Sequence, residues 1–164
     1  MRALPKLLMI GVTGLVLAAP VAGQRSDDQI NPRSVVLMHQ GEAFMSSGKY
    51  EQAEDALETA LAVDPRNRWA FVDLARVAEK QHLFGKAIRM TNKALLIEPN
   101  DVDAIAVQGE AMVELGAIAR AQANLQKLQG ICRQGCPQVA QLSGAITRGP
   151  SVASAKAPDV PKKN

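Results

Sequence analysis

The sequence predicts an all-α protein made of repeated helical hairpins, and three observations lead to that prediction. Residues 60–65 (ALAVDP) and 94–99 (ALLIEP) carry nearly the same phrase 34 positions apart. Small residues recur at that spacing in columns of their own, for example Gly41, Ala75 and Gly109. Apolar residues between the breaks fall three or four positions apart, as on one face of a helix. A fixed period of this length is typical of stacked repeats that share one core.

Each predicted unit contains two helices joined by a tight turn. In the first unit Leu37, Gly41 and Phe44 lie about one turn apart, and the chain breaks at residues 46–49. The second helix then carries one apolar stripe, made of Tyr50, Ala53, Leu57, Ala60 and Leu61. The small residues on these faces would let the helix axes approach closely, while the large ones fill the space beside them.

The ends of the predicted helices carry their own signals. Gly48 and Gly116 fall where a helix ends in a left-handed residue, and His82 holds the equivalent turn position in the second unit. Pro65 and Pro99 stand near the close of each second helix. The predicted N-caps of the first helix of each unit are Asn31, Asn67, and either Asn100 or Asp101.

At these positions the chain resembles the tetratricopeptide repeat family. The matching phrases are Leu37-x2-Gln40-Gly41-x2-Phe44, Ala53-x3-Leu57 and Pro65; Phe71-x2-Leu74-Ala75-x2-Ala78, Ala87-x3-Thr91 and Pro99; and Ile105-x2-Gln108-Gly109-x2-Met112 with Ala121-x3-Leu125. The resemblance implies a right-handed α-solenoid of three helix-turn-helix units, at residues 34–67, 68–101 and 102–135.

The C-terminal end of the array differs from this pattern. The third unit has Leu128 and Arg133 where the family has Ala and Pro, as suits a terminal repeat. Val139, Leu142 and Ile146 are spaced three and four apart, and they predict an amphipathic capping helix over residues 136–148.

The segments outside the repeats suggest export. Residues 1–23 combine a basic start, an apolar run too short for a membrane span and small residues before Gln24, which predicts a signal peptide. The alternative is an uncleaved N-terminal anchor; after cleavage no stable membrane insertion is expected. A periplasmic location is preferred, and secretion is the other option. Residues 24–33 are expected to form a flexible segment, and residues 149–164 a disordered tail.

The charge distribution argues against a nucleic-acid partner. The formal net charge is +3, but the cations that produce it lie at the two ends of the chain. Residues 24–147 hold thirteen Lys and Arg against fifteen Asp and Glu. The body of the protein therefore has no basic excess with which to neutralise phosphates.

The two cysteines, Cys132 and Cys136, lie between the third unit and the capping helix. In an exported protein an even number of cysteines predicts a disulfide, and Gly135 and Pro137 would let the chain turn enough to form it. The alternatives are a redox-active pair, for which the usual spacing is CxxC, a metal site, an intermolecular bond, or free thiols.

No set of residues predicts catalysis, a metal centre or a cofactor. His39 and His82 are the histidines of the sequence, and neither has a nucleophile and base arranged at helical spacing around it. Phosphate-binding glycine loops and paired histidines on one helix face are absent from the sequence. The protein is therefore not expected to be an enzyme.

The resemblance implies a groove lined by the first helix of each unit, which binds a peptide or protein segment. Positions just off the packing stripe are expected to line it, although each could instead belong to a solvated or packed helix face. They are Val35, Met38, His39, Glu42 and Met45 in unit one; Trp69, Val72, Asp73, Arg76 and Lys80 in unit two; and Asp103, Ala106, Val107, Glu110 and Val113 in unit three.

The composition of this groove suggests its ligand. Met38, Trp69 and Val72 offer apolar contact. Glu42, Asp73 and Glu110 are expected to surround Arg76, which favours a segment with apolar anchors and some positive charge. Some members of the family clamp a C-terminal carboxylate pair with Lys and Asn. Met38 and Glu42 stand in the corresponding first-unit positions, so that activity is not expected.

The predicted function is thus a non-catalytic interaction module in the cell envelope that binds a protein partner. The alternative is a structural or assembly subunit that stacks on itself or within a larger complex, so a homo-oligomer stays open. A thiol-redox accessory is a weaker third candidate.

Overall fold

The computed structural model describes residues 29–133 and 135–151, and within them it is all helical. Seven helices follow one another, with bounds α1 Pro32–Ser46, α2 Tyr50–Val63, α3 Arg68–Lys80, α4 Phe84–Ile97, α5 Val102–Glu114, α6 Ile118–Ile131 and α7 Pro137–Arg148. The predicted signal peptide, residues 24–28 of the predicted flexible segment and residues 152–164 of the predicted tail lie outside the described residues. Pro32 and Arg33, also assigned to the flexible segment, instead form the start of α1. The prediction of an all-α solenoid of three hairpins and a capping helix is confirmed.

The hairpins are held together by small residues that let the helices meet closely. Ala53, Ala87 and Ala121, one in the second helix of each unit, are fully buried. A Cβ added to Gly41 would lie 2.6 Å from Cγ of Leu57, so α1 and α2 approach at a distance that only glycine permits there. The columns of small residues in the sequence therefore set the spacing between helices.

The first helix of each unit is capped at its N-terminus by one side chain. Asn31 accepts a hydrogen bond from the N–H of Arg33, and Asn67 accepts one from the N–H of Ala70. In the third unit the cap is Asp101, whose Oδ1 accepts from the N–H of Ala104. The structure thus selects Asp101 over Asn100 as the N-cap of α5.

Buried polar side chains link each unit to the next. The hydroxyl of Ser34 donates to the carbonyl of Ala60 at 2.7 Å and accepts from the amide of Asn67 at 2.9 Å. Farther along, the amide of Gln108 donates to Asn92 at 2.7 Å, and that of Asn124 donates to Gln108 at 3.1 Å. Because these groups are satisfied only when neighbouring units are in register, they favour one alignment of the stack.

Helix α7 covers the end of the array. It packs on α5 and α6, and Leu142 sits directly over Gly109, where an added Cβ would approach Cδ2 of Leu142 to 2.6 Å. Leu142 is fully buried with Ile105 and Leu128 in one cluster. None of the helices in residues 29–133 and 135–151 is long and apolar enough to span a membrane.

The cysteine pair joins α6 to α7. Cys132 follows the last residue of α6, Cys136 precedes the first of α7, and their sulfurs lie at bonding distance with Cα atoms 5.6 Å apart.

We predict that the purified native protein contains no free thiol, as counted with a thiol reagent before and after reduction. Cys132→Ser with Cys136→Ser should lower the free energy of unfolding by about 2 kcal/mol, as for a loop this short. Two titratable thiols in the native protein would contradict the bond.

His82 adopts the left-handed conformation that its register position predicts. Its φ is 57°, beside 71° and 74° at the equivalent Gly48 and Gly116. Since a side chain there carries a backbone penalty that glycine avoids, His82→Gly should raise the free energy of unfolding by about 1 kcal/mol in urea denaturation. Gly116→Ala is the matched control and should lower it by a similar amount. The imidazole of His82 also packs edge-to-face on the ring of Phe84. If His82→Gly were less stable than wild type, this contact would outweigh the backbone penalty.

Candidate functional site

One face of the array is formed by the first helix of each unit. Helix α1 contacts α3, α3 contacts α5, and α5 contacts α7, whereas contacts among α2, α4 and α6 are marginal across the described residues. Helices that are closer together lie on the inside of the curve. The inner face of the solenoid is therefore built from α1, α3 and α5, as the sequence analysis expected.

A cavity of about 790 Å³ opens at the N-terminal end of this inner face. Its walls combine the segment before α1 with side chains of α1 and α3. The lining residues are Gln29, Ile30, Asn31, Pro32, Val35, Met38, His39, Glu42, Trp69 and Asp73. The cavity is thus mostly apolar, with carboxyl groups contributed by two different helices.

The wall formed by residues 29–31 is fixed by Asp64, at the end of α2. The N–H of Asn31 donates to Asp64 at 2.9 Å, and Arg66 binds both Asp64 and the carbonyl of Gln29. Hydrogen bonds from the Arg66 side chain, together with those from the backbone, lower the pKa of Asp64 to about 2. This carboxylate therefore stays ionised, and it keeps the N-terminal wall in place.

Trp69 forms the opposite wall and is held by its neighbour. Its side chain is 43% exposed, and the guanidinium of Arg68 stacks on the indole 4.1 Å from the ring centroid. Arg68 also forms an ion pair with Asp101, the N-cap of α5. A large exposed indole with a restrained orientation is a suitable contact for a ligand.

Arg76 connects the carboxylates of two units. Its guanidinium donates to Asp73 at 2.9 Å and to Asp103 at 3.1 Å, and Gln138 of α7 donates to the same Asp103 oxygen at 3.0 Å. Burial raises the pKa of Asp73 to about 6, against the opposing effect of Arg76 and with a further contribution from Glu42. The sequence analysis placed acidic residues around Arg76, and the structure shows that Asp73 and Asp103 are the ones that bind it.

Some predicted groove residues lie too deep to reach a ligand. Val72 and Val107 are 2% exposed and belong to the core between α3, α4 and α5, while Ala106 is 1% exposed in the cluster beneath α7. Val113, also named for the groove, is buried under α7. The prediction that these four line the groove is wrong, because each is buried against neighbouring helices of the stack.

The remaining predicted residues lie at the first cavity, in the core of the first unit or at a second cavity. His39 and Glu42 lie at the cavity, with the imidazole Nδ1 bonded to the Glu42 carboxylate at 2.8 Å. Met38 is buried but reaches the cavity, and Met45 packs against the core of the first unit. Lys80 and Glu110 lie farther along, in a second cavity of about 370 Å³.

Comparison with known proteins identifies the repeats. Residues 44–110 match the family model described as tetratricopeptide repeat. Residues 44–110 carry the tetratricopeptide repeat pattern. The phrases at Pro65 and Pro99 and the small-residue columns are thus the sequence pattern of these repeats.

A curated bacterial protein shares the repeat region. Cellulose synthase 2 operon protein C of Komagataeibacter xylinus is 39% identical over 72 residues, which make up 43% of this chain. This match covers 5% of that protein's length.

Solved tetratricopeptide repeat domains share the fold. The Sgt2 domain from Aspergillus fumigatus aligns with a TM-score of 0.66 and 21% identity, over 82% of this chain and 92% of that one. The first such domain of Spaghetti (RPAP3), bound to the HSP90 peptide SRMEEVD, aligns with a TM-score of 0.65 and 20% identity, over 76% and 97% of the two chains.

The second cavity between the repeats and α7 holds a carboxyl cluster that the sequence analysis missed. Glu79, Glu110 and Glu114 line it together with Lys80 and Arg148, and Glu114 accepts hydrogen bonds from Ser151. Burial, and then the charge of Glu110, raise the pKa of Glu79 to about 8, and burial raises that of Glu110. Positions 79 and 113 are equivalent in the 34-residue repeat, and both can be read from the sequence. Which of the two side chains is buried depends on where α7 lies, and the sequence does not give that position.

The carboxyl cluster makes stability depend on pH. Folded Glu79 keeps its proton up to about pH 8, while the unfolded chain releases it near 4.5. The free energy of unfolding should therefore fall as pH rises through that window, by up to about 1.4 kcal/mol per pH unit. Urea denaturation at several pH values measures this dependence. Glu79→Gln should make the free energy of unfolding depend less on pH, while Glu58→Gln, on the exposed side of α2, should leave the pH dependence unchanged. Parallel pH profiles for wild type and Glu79→Gln would refute this assignment.

Proposed function

We propose that this chain is a non-catalytic interaction module that binds an extended segment of a partner protein along the inner face of α1, α3 and α5. The observation that carries the proposal is the cavity between α1 and α3. It combines an exposed, restrained indole with apolar side chains and carboxylates, and its volume of about 790 Å³ exceeds the 300 Å³ or so of a cavity lined by α1 and α2. Such a mixture of apolar anchors and polar groups is typical of peptide-binding grooves.

The solved neighbours support a peptide or protein ligand. The Spaghetti domain was solved with the HSP90 peptide SRMEEVD, and the TPR2B domain of yeast Sti1, 19% identical to this chain, in a complex named for pHsp70. A shared fold does not transfer these ligands, and Met38 and Glu42 give this groove a different chemistry at its first unit. The proposal therefore concerns a protein ligand, and not those peptides.

We also propose that the module acts in the cell envelope, most simply in the periplasm. Support comes from the signal-like pattern of residues 1–23 and from the cysteine pair, whose sulfurs are placed to bond in an oxidising compartment. Oxidised cysteines in freshly exported protein are the outcome that this location requires.

The groove is tested by locating where peptides bind. Peptides selected from a random phage-displayed library should shift amide resonances of α1, α3 and α5 in NMR titrations of the ¹⁵N-labelled protein. Trp69→Ala should weaken binding of the selected peptides by about tenfold, as for loss of a buried aromatic contact. Reversal of Arg76 is a poorer test, because that side chain also holds Asp73 and Asp103 in place.

The matched control is Leu96→Ala, which removes an exposed side chain of α4 on the outer side of the array. Binding should be unchanged in that variant. Resonance shifts confined to α2, α4 and α6, or equal binding by Trp69→Ala and wild type, would reject the groove. A stable oligomer in light scattering that protects the α1–α3–α5 amides would instead support the alternative assembly role.

A further inference from the structure

The cavity at the N-terminal end of the groove has the chemistry of a site for a basic side chain. Its walls are apolar at Val35, Met38 and Trp69, and its carboxyl groups, from Glu42 and Asp73, come from different helices. A long cationic side chain needs this combination, because its methylene stem is apolar and its end is charged. An acidic or purely apolar side chain would leave one part of the lining without a matching partner.

The balance of charge favours a cation. Among the described residues of this part of the inner face, Arg76 forms ion pairs with Asp73 and Asp103, and the carboxylate of Glu42 acts on Asp73 and raises its pKa. The neighbouring Arg68 does not alter this balance, because it is paired with Asp101. Carboxylates therefore outnumber the cations that face them, and the excess is carried at the cavity by Glu42.

The position of each group fits a ligand that enters from solvent. The Glu42 side chain is 43% exposed and contacts the imidazole of His39, whose side chain is itself 62% exposed. Asp73 lies deeper and is 3% exposed. Its pKa is raised by burial and further by Glu42, so the ionised form of this carboxyl is incompletely compensated by Arg76. Trp69 adds an aromatic surface of the type that cations favour most.

We propose that this cavity binds a lysine or arginine side chain of the partner segment, with its charged end at Glu42 and Asp73 and its stem against Met38 and Trp69. The proposal rests on the proposed function and gives it a specificity: a basic residue flanked by an apolar one. The SRMEEVD peptide bound by the Spaghetti domain has an acidic overall charge, because two glutamates and a terminal aspartate outnumber its one arginine.

The experiment uses peptides selected on the full-length protein from the random library. The selected sequences should be enriched in Lys or Arg next to an aliphatic or aromatic residue. The best peptide is then synthesised in two versions. One version keeps its basic residue, whether lysine or arginine, and the other has norleucine at that position. Loss of the charged end should weaken binding by about tenfold in fluorescence polarisation, as for a charge-assisted hydrogen-bonded contact.

A double-mutant cycle assigns the effect to the cavity. Glu42→Gln removes a half-exposed carboxylate outside the core, so the fold should be kept, as circular dichroism checks. This variant should bind the basic peptide several-fold more weakly than wild type but bind the norleucine peptide equally well. Glu58→Gln, an equal change of charge on the exposed side of α2, should leave both affinities unchanged.

The outcomes separate this inference from the broader proposal. Peptides that bind the inner face without a basic residue, or additive effects of norleucine and Glu42→Gln, would overturn the basic-side-chain site and leave the groove standing. Failure of every selected peptide to shift α1, α3 or α5 resonances would overturn the groove itself. Coupling between Glu42 and the peptide's basic residue would support both.

Discussion

The close approach of helices at columns of alanine and glycine is the constraint on which the rest of the structure depends. Ala53, Ala87 and Ala121 are fully buried, and Gly41 and Gly109 contact leucines at positions where a Cβ would overlap them. Interiors packed this tightly leave no room for adjustment by a single helix. The large apolar side chains are therefore pushed to the sides of each contact, and there they form the clusters that join one hairpin to the next.

This constraint explains why the fold was predictable from the sequence. The small residues must recur wherever two helices meet, so a period of 34 residues appears in the printed sequence without any knowledge of contacts. The ends of the helices were predictable from the turn residues, because Gly48 and Gly116 adopt positive φ. His82 adopts positive φ at the equivalent position, where a side chain lowers the stability of the backbone conformation. The choice between Asn100 and Asp101 as N-cap needed coordinates, because both side chains are capable of capping and differ only in position.

The depth of the site was less predictable, for a reason that lies in the stack itself. Met38, Val72 and Ala106 share one repeat register, yet Met38 reaches the cavity while Val72 and Ala106 are covered. Within the described residues α3 packs between α1 and α5, and α5 between α3 and α7, whereas α1 has a neighbour on one side. A pattern that treats all units as equivalent cannot express this difference, and the residues before α1 that complete the cavity belong to no repeat.

The capping helix connects this end effect to the chemistry of the groove. Gln138 of α7 donates to Asp103, which also accepts from Arg76, and Arg76 in turn binds Asp73 at the cavity. A continuous set of polar contacts therefore runs along the inner face from the capping helix to α3, whose Asp73 lines the cavity. The cysteine pair is placed where α6 passes into α7, so it restricts the direction in which α7 leaves the array. Since Gln138 is the second residue of α7, the position of that helix bears directly on how Asp103 divides its hydrogen bonds. The same contacts that close the C-terminal end of the core thus help to set the charge that Asp73 presents at the N-terminal cavity.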